Sequence, residues 1–155
     1  MKKALYPFVA TMGPVGYAPI APATAGSAVT ALIGWFLPVP PLHLAVAAIA
    51  AGTVVAVAVC GEAEKKLGHD AHPIVADEVI GQSLALILVP HTWVAFLASF
   101  LLFRLFDIWK PLGARQIQRL PGGLGIVADD VIAGLTACGV FHLGWWGLRA
   151  AGWSH

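Results

Sequence analysis

Apolar residues run in long uncharged blocks along this chain, and polar residues gather in the connections between the blocks. No charged residue occurs between Thr24 and Gly61, and the stretch PVPP at residues 38–41 interrupts this block. Proline ends helices because it lacks a backbone N–H and clashes with the preceding turn. The pattern therefore predicts one helix near residues 24–37 and a second near 42–60, the latter long enough to cross a bilayer.

The second half of the chain repeats this alternation. A charged connection at residues 61–78 precedes an uncharged block at 79–103, which has Pro90 near its middle. A polar, glycine-rich loop is predicted at about 109–128, followed by a last apolar helix at about 129–149.

The composition is that of an integral membrane protein. Hydrophobic residues make up 59% of the chain, charged residues make up 11%, and the mean hydropathy is +0.82. A soluble domain of this size has too little interior to bury so much apolar surface. We expect one all-α domain over residues 1–155, a membrane bundle of about four to five embedded helices. The formal net charge of +1 gives no basic surface for nucleic acid. Pro7, Pro14 and Pro19 interrupt the N-terminal apolar run, which does not resemble a cleavable signal.

The block at 79–103 allows two topologies. A single span would separate the acidic pair at 77–78 from the acidic pair at 129–130, whereas a helical hairpin turning near Pro90 would bring both pairs to one side. The distribution of aromatic residues favours the hairpin, because an aromatic belt then forms at the opposite interface. This belt would contain Trp35, Trp93, Trp145, Trp146 and Trp153.

The basic residues assign the two sides of the membrane. In the hairpin topology only Arg149 lies opposite the acidic pairs, and the other lysines and arginines gather at the acidic end. Cytoplasmic loops of membrane proteins are enriched in lysine and arginine. We therefore expect a multi-pass protein of the bacterial cytoplasmic (inner) membrane, with the acidic end facing the cytoplasm.

The same topology brings together carboxylates and cations at the ends of several helices. The group consists of Asp70, Asp77, Glu78, Arg104, Asp107, Lys110, Asp129 and Asp130. Magnesium takes hard oxygen ligands and binds through one or two carboxylates together with substrate phosphate. Arginine and lysine bind phosphoryl oxygens. The group therefore has the composition of a metal–phosphate site.

Each part of the group also has a purely structural interpretation. Either acidic pair can stabilise a helix N-terminus through the helix dipole, and Arg104 with Asp107 can form a structural ion pair. A different function is also open, because intramembrane charges can line an ion or proton pathway in a small transporter. Transporter sites tend to lie near the bilayer midplane, whereas these charges gather at one edge.

Three stretches, in order, resemble the phosphatidylglycerophosphatase A family of bacterial membranes. They are HDAHPIVADEVIG (69–81), FRLFDIWKP (103–111) and GGLGIVADDVIAG (122–134). The stretch APIAPATAGS (18–27) is similar to the family's motif P-G-T-x-G-S, with Ala23 in place of the glycine. The resemblance implies a helical, magnesium-dependent membrane phosphatase. Its substrate would be phosphatidylglycerophosphate, from which it would remove the terminal phosphate to give phosphatidylglycerol.

The resemblance and the charge pattern together give each site residue an expected role. Magnesium ligands are expected among Asp77, Glu78, Asp129 and Asp130. Contacts to the substrate phosphate are expected from Arg104, Lys110, Thr24 and Ser27. Because adjacent helical residues point about 100° apart, the two members of an acidic pair cannot both face the metal equally.

The remaining expected roles are catalytic and supporting. Asp77 or Asp129 would orient or deprotonate the attacking water, and Asp107 is a further catalytic candidate. Asp70, Gly122 and Gly123 would support the site.

Overall fold

A computed structural model describes residues 2–68, 71–110 and 113–152, with side chains from residue 5 onward, and these residues form helices joined by turns and loops. The helices are α1 (Lys2–Ala10), α2 (Pro22–Phe36), α3 (Leu42–Leu67), α4 (Ala76–Ala85), α5 (Trp93–Trp109), α6 (Ala114–Ile117) and α7 (Gly123–Ala150). A short 3-10 turn, Val15–Tyr17, lies between α1 and α2. The expected all-helical fold is confirmed for the described residues.

Helices α2 and α3 flank the proline-rich stretch as predicted. Helix α2 has Pro22 at its first position, and α3 begins directly after Pro41. The predicted end of α3 near residue 60 is wrong, because the helix continues to Leu67 through the first part of the charged connection. This part is rich in glutamate and lysine, which are good helix formers, and the chain leaves the helix at Gly68 with φ of 99°.

The predicted hairpin is confirmed, with its turn at residues 86–92. Helices α4 and α5 run antiparallel, since the Ser99 hydroxyl near the start of α5 donates to the Ala85 carbonyl at 2.8 Å and Arg104 contacts Glu78. The hydroxyl of Thr92 caps α5 by accepting from the backbone N–H of Ala95. The two acidic pairs therefore lie at the same end of the helices.

The start of α7 differs from the prediction. The helix begins at Gly123 rather than near 129, and α6 occupies part of the predicted loop. A Cβ placed on Gly123 would lie 1.9 Å from the Val57 carbonyl oxygen of α3. Glycine is thus required here for close helix packing, not for a loop. Asp129 and Asp130 lie inside α7, so the interpretation of this pair as a helix cap is wrong.

Helix α7 is the centre of the bundle and packs against α3, α4 and α5. Its closest approach to α4 is a crossing of two glycines, since a Cβ on Gly134 would lie 2.3 Å from the Gly81 carbonyl oxygen. A Cβ on Gly81 would lie 2.4 Å from the Phe103 ring of α5. Gly81 follows Glu78 by three residues and Gly134 follows Asp130 by four. The crossing therefore holds the acidic ends of α4 and α7 close together.

The opposite end of the bundle is aromatic. Trp35 stacks on His91 with ring centroids 4.4 Å apart, and Trp145 stacks on Phe141 at 6.0 Å. Trp153, the last member of the predicted belt, lies outside the described residues. Within the described part of the chain, α3 and α7 are the helices long and apolar enough to cross a membrane.

Candidate active site

Three helices bring carboxylates to one point. Glu78 lies in the first turn of α4, Asp107 near the end of α5, and Asp130 in the second turn of α7. One carboxylate oxygen from each lies within 4.8 Å of the others. Glu78 and Asp130 are buried and Asp107 is partly buried. We name these residues the three-carboxylate group. Its members are separated by up to 52 positions in the sequence, and the hairpin topology predicted their meeting.

Arg104 bridges two of these carboxylates. Its Nη1 donates to Glu78 Oε2 at 2.5 Å, and its Nη2 lies 3.1 Å from Asp107 Oδ2. The Ser27 hydroxyl of α2 donates to Glu78 Oε2 at 2.6 Å and accepts from Arg104 Nη1 at 3.2 Å. These charge-assisted bonds fix the position of the Glu78 carboxylate.

Lys110 connects the three-carboxylate group to a fourth carboxylate. Its Nζ lies 3.8 Å from Asp107 Oδ1 and contacts Asp129 Oδ2. The Lys110 backbone takes the left-handed conformation, with φ of 51°, directly after α5. Burial lowers the pKa of the Lys110 ammonium, but the hydrogen bond to Asp129 and the charges of Asp107 and Asp130 outweigh this and raise the pKa above its usual value. Lys110 therefore stays cationic.

The connected charges do not cancel. Among the contacts given above, four carboxylates meet two cations, so carboxylates are in excess and a bound cation would offset their charge. Asp130 Oδ2 is buried and has no hydrogen-bond partner among the described residues. Polar atoms buried in this way normally have a partner, and carboxylate oxygens are ligands of magnesium. The donor set therefore fits a hard divalent metal held by the three-carboxylate group.

The other predicted site residues take different positions. Asp77 is buried beside Glu78, and neither Asp77 nor Asp129 belongs to the three-carboxylate group. Thr24 lies on α2 one turn before Ser27 and is partly buried. Gly122 and Gly123 form the start of α7. Asp70 lies outside the described residues.

Gln82 is a buried polar residue that the sequence analysis missed. It lies on α4 one turn after Glu78 and is fully buried, and neither polar atom of its side chain has a hydrogen-bond partner among the described residues. Its spacing of four from Glu78 was the available signal, because residues four apart share one face of a helix.

The bundle carries carboxylates and cations together at one end, which is the composition of a candidate metal–phosphate site. Comparison with known proteins gives the family. The sequence profile of the phosphatidylglycerophosphatase A family matches residues 8–145. The chain therefore belongs to the phosphatidylglycerophosphatase A family, a family of phosphatases. The transporter alternative is not supported.

Individual relatives agree with this assignment. The chain is 34% identical to phosphatidylglycerophosphatase A of Escherichia coli (strain K12) over 130 residues, which cover 82% of this chain and 76% of the relative. It is 36% identical over 128 residues to a Bacteroides thetaiotaomicron protein provisionally named a phosphatidylinositol-3-phosphatase, covering 77% of this chain and 80% of that protein. Phosphatidylglycerophosphatase A of Haemophilus influenzae is 42% identical over 81 residues, half of each chain. No solved structure gives a significant match.

Proposed function

We propose that this phosphatase hydrolyses the terminal phosphate monoester of phosphatidylglycerophosphate, giving phosphatidylglycerol and phosphate, and that it depends on magnesium. The observation that carries the proposal is the three-carboxylate group with Arg104 and Lys110 at its edge. The names of the relatives in Escherichia coli and Haemophilus influenzae support the choice of substrate.

The magnesium ligands in this proposal are Glu78, Asp107 and Asp130. This choice differs from the ligand set expected from the sequence, because Asp107 takes the place of Asp77 and Asp129. Bound magnesium supplies Lewis-acid chemistry, which withdraws charge from phosphoryl oxygens and makes a coordinated water more acidic. The absence of thiolate and imidazole from the three-carboxylate group favours magnesium over softer metals.

Arg104 and Lys110 are the cations that would bind the phosphoryl group. Both already lie between carboxylates, so each is positioned before the substrate arrives. Cations held in place stabilise the charge that moves onto the phosphoryl and leaving oxygens as the ester bond breaks. Among the described residues, Asp77 and Asp129 are the buried carboxylates outside the three-carboxylate group, and one of them would accept a proton from the attacking water.

We further propose that the chain is a multi-pass protein of the bacterial cytoplasmic membrane, with the site at the cytoplasmic face. Helix α3 supports insertion, because only 17% of its most apolar window is buried inside the protein, and Val54 and Val55 are exposed. Soluble proteins rarely expose apolar surface of this extent to water. The embedded elements would be α2, α3, α7 and the α4–α5 hairpin. Helix α4 has ten residues and is about 15 Å long, too short to span the bilayer core.

The proposal is tested by phosphate release from purified protein in lipid nanodiscs that contain phosphatidylglycerophosphate. We expect release in magnesium, none in excess chelator, and recovery when magnesium is restored. Glu78→Gln should abolish turnover. Glu62→Gln is the matched control, because Glu62 forms an exposed ion pair with Lys65 at the end of α3, and it should retain turnover. Full activity in chelator would refute the metal, and inactivity on this lipid would refute the substrate.

A further inference from the structure

We propose that a groove between α5 and α7 binds an anionic phospholipid of the leaflet opposite the site, with an acyl chain in the groove and the phosphate on Arg149. The groove has a volume of about 350 Å³, and we name it the α5–α7 groove. The lining residues on which the proposal depends are Ala95, Ala98, Phe141, Gly144, Trp145 and Arg149. The proposal rests on the proposed function for its membrane orientation, and it concerns a second lipid site rather than the catalytic one.

Small residues leave the α5–α7 groove open. Ala95 and Ala98 line it on α5, and Gly144 lines it on α7. A Cβ placed on Gly144 would meet nothing within 4 Å, so the space beside this glycine is empty of protein. The stacked rings of Phe141 and Trp145 form part of the wall on α7. A concave, apolar wall of this kind fits a hydrocarbon chain.

The α5–α7 groove lies at the end of the bundle away from the three-carboxylate group. It follows the beginning of α5 and the last turns of α7, whereas Asp107 lies near the end of α5 and Asp130 near the beginning of α7. Arg149 follows Asp130 by 19 residues of the same helix, which is about 28 Å. This separation is close to the thickness of the bilayer core, about 30 Å. With the site at one headgroup region, Arg149 therefore lies at the other.

Arg149 is the cation at the headgroup end of the groove. No carboxylate pairs with it within the part of the chain that the structure describes. Its guanidinium lies 5.8 Å from the centre of the Trp145 ring, a cation–π contact that holds it beside the groove. Arginine binds phosphate oxygens through two parallel N–H donors. The α5–α7 groove thus combines an apolar wall with a phosphate-binding group at one end.

A phospholipid satisfies both parts of the groove, whereas a second copy of the chain satisfies one. The described acidic residues lie in or beside the three-carboxylate group or, like Glu64, beside the start of α7. Copies of a membrane protein share one orientation, because the same basic residues set it in each copy. The described carboxylates of a neighbouring copy would therefore also lie at the far face. Such a copy could cover the apolar wall but would bring none of these carboxylates to Arg149.

The first test uses two photoactivatable phospholipids that differ in headgroup charge. Phosphatidylglycerol and phosphatidylcholine, each with a diazirine in one acyl chain, are placed in nanodiscs with the purified protein, and labelled residues are located by peptide mass spectrometry. We expect phosphatidylglycerol to label the groove about tenfold more than phosphatidylcholine, because the choline cation competes with Arg149 for the phosphate. Lipid bound at the three-carboxylate group would label the opposite ends of α5 and α7.

Two variants remove the two parts of the groove separately. Arg149→Gln should lower labelling by phosphatidylglycerol to the level of phosphatidylcholine. Gly144→Leu should lower labelling by both lipids, because the leucine side chain fills the groove. Gly139→Leu is the matched control, since a Cβ there also meets nothing within 4 Å but Gly139 does not line the groove. Equal labelling by both lipids, or labelling that Gly144→Leu leaves unchanged, would overturn the proposal.

The second test separates a lipid from a second copy of the chain. Val140 lines the groove and is 40% exposed, so Val140→Cys, in a background without Cys60 and Cys138, reports on a neighbouring copy through disulfide cross-linking. We expect no cross-linked dimer in nanodiscs, and a dimer linked through position 140 would overturn the lipid assignment.

Phosphate release from phosphatidylglycerophosphate separates this proposal from the proposed function. Arg149→Gln should retain release, because Arg149 lies at the far end of α7 from Asp130. Groove labelling in a protein that releases no phosphate would support the lipid site and refute the proposed function. Phosphate release without groove labelling would refute the lipid site alone.

Discussion

The variant Asp130→Asn distinguishes a metal-binding role of Asp130 from a purely structural one. If Asp130 binds metal, the substitution should change stability and activity in opposite directions. Asp130 lies with Glu78 and Asp107 inside the three-carboxylate group, with oxygens no more than 4.8 Å apart. Two unit charges at 4.8 Å repel by about 3.5 kcal/mol at an effective dielectric constant of 20. The substitution removes at least two such repulsions and also the attraction of Asp130 to Arg104 and Lys110. We expect the metal-free protein to gain roughly 1 to 3 kcal/mol in the free energy of unfolding.

Activity should fall in the same variant. Loss of one of the three proposed ligands should lower turnover at least a hundredfold, equivalent to about 2.7 kcal/mol of transition-state stabilisation. Magnesium at about a hundred times its dissociation constant stabilises a protein by about 2.7 kcal/mol, and this gain should vanish in Asp130→Asn. The assay is thermal unfolding in nanodiscs, with chelator and with magnesium, alongside phosphate release.

Asp129→Asn is the matched control for this experiment. Asp129 is the next residue on α7, but its carboxylate contacts Lys110 and lies outside the three-carboxylate group. This variant should keep the stabilisation by magnesium. A normal rate in Asp130→Asn together with an undiminished magnesium effect would refute the assignment of Asp130 as a ligand.

Further predictions concern topology and packing. In a cysteine-free background, labels at Leu120 and Val39 should react from opposite faces of the membrane, because these exposed positions lie at opposite ends of the bundle; labelling from one face would contradict the arrangement. Gln82→Met removes two buried polar atoms without partners among the described residues, and it should raise the free energy of unfolding by about 1 kcal/mol; a lower unfolding midpoint would show that the amide is bonded. Gly134→Ala should destabilise by about 3 kcal/mol, since its Cβ would meet the Gly81 backbone; retention of the wild-type midpoint would show that the helices separate easily.

The fold could be predicted from sequence where helix-breaking prolines and uncharged blocks marked the elements. The proline-rich stretch at 38–41 separated α2 from α3, and the distribution of aromatic residues favoured the hairpin near Pro90. The beginning of α7 could not be predicted, because glycine has the same local appearance in a loop and at a close helix contact. Only the approach of Val57 on α3 shows that Gly123 serves the second purpose.

The site could be predicted as a set of residues but not as a set of contacts. Motif spacing gave Glu78, Arg104 and Asp130 their places, but it could not show that Glu78 and Asp107 share one arginine. Which member of each acidic pair joins the three-carboxylate group depends on the rotation of α4 and α7 about their axes. That rotation is determined by packing between residues far apart in the sequence, such as Ser27 and Glu78.

The crossing of Gly81 and Gly134 determines which substitutions a second change can rescue. An alanine at position 81 would meet the ring of Phe103 at 2.4 Å and the Asp130 carbonyl oxygen at 2.9 Å, so a smaller residue at 103 would relieve the tighter of these contacts. An alanine at position 134 would meet the backbone carbonyl of residue 81, and no side-chain substitution removes a main-chain atom. Suppressor selections starting from the two variants should therefore differ, with compensating changes at 103 for the first and none at neighbouring side chains for the second. A larger residue at position 81 can therefore be accommodated by a second substitution at position 103. A larger residue at position 134 would instead force the acidic ends of α4 and α7 apart.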